Sequence, residues 1–167
     1  MLGRGLAVAA AVAFLDQISK GALLLHFHEG GCARHQERIT GFLDLVLTCN
    51  AGISFGILNR NGVNALVFSL AAIAVVIVLV VWLRRVRTSF LAVAIGMIIG
   101  GAAGNVVDRL RFGAVVDFLY FHAGSWYWPA FNLADSAICL GVAAMLLDGV
   151  LLRRGAAQAK GGEDLSS

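Results

Sequence analysis

The sequence predicts an all-α membrane protein of four transmembrane helices, with a short strand or hairpin lying outside the bilayer. Three observations carry this. Of 167 residues, 59% are hydrophobic and only 14% are charged, and the mean hydropathy is +0.84, too apolar for a water-soluble domain. The single proline lies outside the longest apolar runs. Four apolar stretches, about 5–25, 63–83, 90–107 and 130–152, reach or approach the ~20 helical residues that a hydrocarbon core of ~30 Å requires.

The first stretch begins like a secretion signal, with Arg4 ahead of an Ala/Val-rich run. It continues through Asp16 and Lys20 to Leu25, however, and reads as a retained helix. Asp16 and Lys20 are four apart, so their charges can neutralise each other on one helix face. From His26 to Asn61 the chain is more polar, and Phe42 to Thr48 has strand character. Cys32 and Cys49 fall in this connection and could form a disulfide. The segment Asn50-Ala51-Gly52-Ile53-Ser54-Phe55-Gly56 offers an amide between flexible glycines, suited to a peptide backbone but equally to an ordinary turn.

Arg84 to Ser89 is a short turn between the second and third helices. In the third, Gly96, Gly100 and Gly104 make a small-residue stripe along which a neighbour can approach closely. The connection from Arg109 to Pro129 holds Val115 to Phe121 and then Trp126-Tyr127-Trp128, aromatics that suit a membrane interface. Pro129 is expected to mark the start of the fourth helix. Residues 1–154 are expected to form one membrane domain, and 155–167 a disordered cytoplasmic tail.

The net charge of +3 comes largely from Arg4, from Arg84, Arg85 and Arg87, and from Arg153, Arg154 and Lys160. By the positive-inside rule both termini and the middle loop are cytoplasmic, although Arg34, Arg38, Arg60, Arg109 and Arg111 make the bias moderate. No cluster of basic and aromatic residues on a polar surface points to nucleic acid. His26, His28, His35 and His122 match no closed metal site, and no CxxC is present, so neither metal nor cofactor is expected.

Asp108, Asp117 and Asp135 lie near the ends of strongly apolar segments, where a carboxylate is costly and by default functional. Asn105 and Asp108 are three apart, as are Asn132 and Asp135, so each pair presents an amide and a carboxylate on one helical face. Asp117 lies in a Val/Phe-rich stretch, where desolvation raises a carboxyl's pKa. Two nearby carboxyls in unlike environments can share one proton, the ionised member taking a proton from water while the other polarises a carbonyl. Helix spacing alone favours Asp108 with Asp135. Arg109, next in sequence, favours a charge-paired, structural Asp108 instead. Three other readings stay open: satisfied polar residues at membrane ends, a proton-coupled transporter, and a structural membrane subunit.

Taken together, Asp16-Gln17-Ile18-Ser19-Lys20, the Asn50 to Gly56 segment, Gly104-Asn105-Val106-Val107-Asp108-Arg109, Val115-Val116-Asp117-Phe118 and Phe131-Asn132-Leu133-Ala134-Asp135-Ser136 resemble lipoprotein signal peptidase, in order and spacing over nearly the whole chain. The resemblance implies an aspartic endopeptidase of the bacterial cytoplasmic membrane, with four transmembrane helices and an extracytoplasmic β-cradle that carries the active site. It implies diacylglyceryl prolipoproteins as substrates, cut just before the lipidated cysteine, with membrane lipid around a monomeric enzyme. By motif position the catalytic pair is Asp117 and Asp135. Asp16, Lys20, Asn50, Gly52, Asn105, Asp108, Arg109 and Asn132 fall on supporting or substrate-binding positions. The sequence departs from the family pattern at Ala51 and Ile53-Ser54, which stand where Thr and Ala-Ala are usual, and at Cys49.

Overall fold

The computed structural model describes residues 1–52 and 63–163; Ile53 to Gly56 of the glycine-flanked segment and the last four residues of the expected tail lie outside them. The element order is α1 (Leu2–His26), β1 (His35–Arg38), β2 (Leu43–Asn50), α2 (Val63–Leu83), α3 (Ser89–Phe112), β3 (Val115–Ala123), β4 (Trp126–Tyr127) and α4 (Leu133–Glu163). Among the described residues, four helices are long and apolar enough to cross a membrane. Phe14 and Ile18 on α1, Leu70 and Ile77 on α2, and Leu140 and Leu146 on α4 are each at least 51% exposed, a surface that hydrocarbon solvates and water does not.

The central helix is α3. Of its apolar window 67% is buried within the protein, against 22% for α1 and 17% for α2 and α4, and all three pack against it. Glycine makes this possible. A methyl group at Gly100 would collide with the Ala9 carbonyl oxygen of α1 and lie 2.8 Å from Val12 Cβ, while one at Gly101 would collide with the Ala134 carbonyl of α4. At Gly104 the added carbon would be 2.5 Å from Asp16 Oδ2. Gly100→Ala is therefore expected to push α1 outward and cost about 1–3 kcal/mol, the usual scale of overpacking. Thermal unfolding in detergent measures this, and an unchanged midpoint would contradict so close an approach.

Helix ends follow local chemistry more than hydropathy. The apolar run of α3 ends near Val107, yet the helix continues to Phe112, where Gly113 takes a left-handed φ of 73° and its N–H closes on the Arg109 carbonyl. Asp108 and Arg109 thus sit inside the helix. The fourth helix starts at Leu133, later than expected from Pro129, because Asn132 caps it (described below). It runs on to Glu163, where a disordered tail was expected from residue 155: Ala156, Ala157, Gln158, Ala159 and Lys160 are good helix formers.

The strands form one antiparallel sheet in the order β1-β2-β3-β4. It sits at the end of the bundle where α1 and α3 finish. Arg4 Nη1 donates to Ser89 Oγ at 2.6 Å, which puts the N-terminus and the α2–α3 turn together at the opposite end. Leu45 faces Leu119 and Thr48 faces Asp117, so three steps along β2 match two along β3. That bulge brings the end of β2 alongside Asp117. Beneath the sheet, Leu23, Leu47, Val116 and Phe118 form a buried cluster with Phe27, Phe112 and Leu133 around it.

Candidate active site

Asn132 caps α4 reciprocally with Asp135. Its Oδ1 accepts from the Asp135 N–H at 2.9 Å, and Asp135 Oδ2 accepts from the Asn132 N–H at 3.3 Å. This is a capping box with an aspartate at the third helical position. The Asn132 side-chain amide is fully buried and its Nδ2 donates to Asp117 Oδ1 at 2.8 Å, to the Val116 carbonyl at 3.2 Å and to Asn105 Oδ1 at 3.3 Å. Asn105 Nδ2 in turn donates to Asp135 Oδ1 at 2.8 Å. One asparagine thus holds both carboxylates, Asp117 from the sheet and Asp135 from α4, and a second fixes Asp135 from α3.

The two carboxyls differ in surroundings. Asp117 is 2% exposed, whereas Asp135 is half-buried. Burial, and after it the negative charge of Asp135, pushes the Asp117 carboxyl up to about 6; hydrogen bonds from Asn50 and Asn132 and the charge of Lys20 act the other way. A carboxyl in that position holds its proton far more readily than an ordinary aspartate and stands beside a second carboxylate, the arrangement that lets a pair share one proton.

Below the pair lies a buried charge cluster. Lys20 Nζ meets Asp16 Oδ2 at 2.8 Å and Asp108 Oδ2 at 2.7 Å, and donates to Asn105 Oδ1 at 3.2 Å. The Asp16–Lys20 pair read from the four-residue spacing therefore forms, but it has a second anion. Asp108 was expected to pair with Arg109. Its partners are Lys20, the Gln17 amide at 2.8 Å and the Val116 N–H at 3.0 Å, because residues adjacent on a helix point to different faces. Asp16 Oδ1 accepts from the Ala134 N–H at 2.9 Å, tying α1 to the first turn of α4.

Arg109 turns toward α2. Its guanidinium lies 5.7 Å over the Phe68 ring, Nη1 donates to the Asn105 carbonyl at 3.3 Å, and Nε is buried with no partner among the described residues. Asn50 Oδ1 accepts from the Gly52 N–H at 3.0 Å, which leaves its Nδ2 for Asp117. Gly52 has a φ of +94° and packs against Phe68, a conformation and a space that exclude a side chain.

Gln17 was not singled out in the sequence, although a polar amide on an apolar helix beside Asp16 was the signal to follow. A second polar group was missed as well: Asp44, 3% exposed, accepts from Gln36 and meets His122 Nε2 at 2.9 Å. The Gln36 amide foremost, and then His122, holds its carboxyl below the usual value. Tyr120 and His122 alternate with Asp117 and Phe121 along β3, so this group faces away from the carboxylate pair. Among the described residues no three His, Cys, Asp or Glu gather as a metal site.

Comparison with known proteins gives the chain's family. The family model described as signal peptidase (SPase) II matches residues 8–151. The chain is 48% identical over 143 residues to the lipoprotein signal peptidase of Azoarcus sp. (strain BH72), covering 84% of this chain and 79% of that one. It is 44% identical over 155 residues to that of Nitrobacter hamburgensis, covering 90% and 93%. A solved structure described as a bacterial membrane enzyme superposes with a TM-score of 0.72 at 29% identity, over 87% of this chain and 92% of its own. On a match that spans most of its length, with the four helices and the sheet in place, the chain belongs to the signal peptidase II family.

Proposed function

We propose that this peptidase is of the aspartic type, with Asp117 and Asp135 as its catalytic pair. As a member of its family the protein removes signal peptides from prolipoproteins. The observation that carries the catalytic reading is the single buried Asn132 that holds both carboxylates while Asp117 is pushed up to about 6. A water placed between them gives a proton to the ionised carboxylate as its oxygen attacks the scissile carbonyl carbon. The protonated carboxyl gives its proton to the carbonyl oxygen. The resulting tetrahedral diol collapses with proton transfer to the leaving nitrogen, so no bond to the enzyme forms. Arg109, whose Nε has no partner among the described residues, and the Asn50–Gly52 turn hold the substrate backbone in register.

The substrate's diacylglyceryl cysteine enters from lipid along the exposed apolar helix faces, and the cut falls just before it. Both termini and the α2–α3 turn, which carry Arg4, Arg84, Arg85 and Arg87, face the cytoplasm of a bacterial inner membrane, with the sheet and the carboxylate pair on the outer face. A proton-coupled carrier is disfavoured because the carboxylates gather at one end of the bundle rather than at its middle. The purified protein in lipid is expected to cleave a diacylglyceryl prolipoprotein equally with and without EDTA. Activity lost to chelator and restored by metal would point to a metallopeptidase.

A further inference from the structure

Past its bulge, the end of β2 runs beyond its pairing with β1. β1 pairs with β2 only from His35 opposite Leu47 to Arg38 opposite Asp44, so among the described residues Thr48, Cys49 and Asn50 have β3 on one side and no strand on the other. Their rungs, to Asp117, Val116 and Val115, are the ones that carry Asn50 to the Asp117 carboxyl. Where β1 ends, a covalent bond takes over: Cys32, three residues before β1, is joined to Cys49 with the Cα atoms 5.6 Å apart. Cys49 packs against the cluster beneath the sheet that holds Leu47 and Val116, and Cys32 is exposed. The next residue in the chain is Asn50.

We propose that the Cys32–Cys49 disulfide is a positioning element of the active site, tying the end of β2 to the chain that leads into β1 and holding the Asn50 amide on Asp117. This rests on the reading of Asp117 as catalytic. Without the bond, the end of β2 keeps one neighbour instead of two, and Asn50 meets Asp117 for a smaller fraction of the time. Cys32 and Cys49 touch no substrate; they act through Asn50. Because Cys32 is exposed, the bond is open to chemical control: a dithiol gives it two electrons and two protons, leaving two thiols and closing to a cyclic disulfide itself.

The test compares the parent with a Cys32→Ser/Cys49→Ser double variant and with a Cys139→Ser control, all reconstituted in lipid with a synthetic diacylglyceryl prolipoprotein. The double variant is expected to lose kcat on the order of tenfold, the scale of modest misplacement, with KM nearly unchanged. The limb of its pH profile that reports Asp117 is expected to move to higher pH, since the Asn50 hydrogen bond acts to lower that group; a merely structural bond would not move it. Cys139→Ser is expected to match the parent. Should the double variant not fold, dithiothreitol treatment of the folded parent, followed by reoxidation, gives the same reading: turnover lost and then regained supports the proposal. Parent-like kcat and pH profile without the bond would overturn it, as would free Cys32 and Cys49 thiols in the purified protein by alkylation and mass. Failure of the catalytic reading is seen separately, as normal turnover by Asp117→Asn with its disulfide intact.

Discussion

Asp117→Asn is expected to lower kcat by at least ~10²–10⁴-fold, the usual share of general acid-base catalysis, while the protein stays folded. The substitution is nearly isosteric, and the new amide can keep its oxygen toward Asn132 Nδ2, where Asp117 Oδ1 now accepts at 2.8 Å. The charge and the titrating proton are removed, and one oxygen then serves the donors of both Asn132 and Asn50, but no helix cap is lost. Asp135→Asn is expected to lose as much activity but also some stability. Asp135 accepts through both oxygens, from Asn105 Nδ2 and from the Asn132 N–H, and an amide has one oxygen for two donors. The lost capping bond costs about 0.5–2 kcal/mol, so Asp117→Asn is the cleaner measurement of chemistry.

The two carboxyls can also be followed by carboxyl carbon NMR. Asp117 is expected to titrate near 6 in the parent and lower in Asp135→Asn, since removing a neighbouring anion favours ionisation. Normal turnover in either Asn variant would sink the pair. An Asp117 midpoint that ignores the loss of Asp135 would show that the two carboxyls do not sense each other.

How much of this was legible in the sequence depends on which force decided each feature. Hydropathy found all four helices, and for α2 it found the ends as well, since the apolar run and the helix both span Val63–Leu83. It stopped α3 five residues short, since Asp108, Arg109 and Arg111 end the apolar run without ending the helix; Gly113 does that. The repeated Asn-x-x-Asp was visible as spacing, but it does two different things. In α3 both side chains face Lys20 from within the helix, while in α4 the asparagine stands outside the helix and caps it. The pairing of Asp117 with Asp135 needed the family pattern, because a strand residue and a helix residue eighteen apart share no period. Lys20 bridging to Asp108, 88 residues later (108 − 20), had no local signal; only the packing of α1 on the glycines of α3 puts them together.

That bridge gives the second large effect. Asp16, Lys20 and Asp108 are each at most 2% exposed, and one ammonium serves two carboxylates at 2.8 and 2.7 Å. Desolvated charges are tolerable only when paired and hydrogen-bonded, and removing one partner leaves the other's desolvation uncompensated. Lys20→Met keeps the volume of the stem and removes the cation that Asp16 and Asp108 share. It is expected to destabilise the protein by about 3–5 kcal/mol, the range for broken buried pairs. The effect should exceed that of Gly100→Ala, because two anions are stranded, with only the Gln17 amide and the Ala134 and Val116 N–H groups left to face them. Equilibrium unfolding in mixed micelles reads this directly. The triple variant Lys20→Met/Asp16→Asn/Asp108→Asn is expected to recover part of the loss, because neutral amides no longer demand a counter-charge. A Lys20→Met protein as stable as the parent would mean that water reaches the cluster and that the three charges do not hold α1, α3 and α4 together.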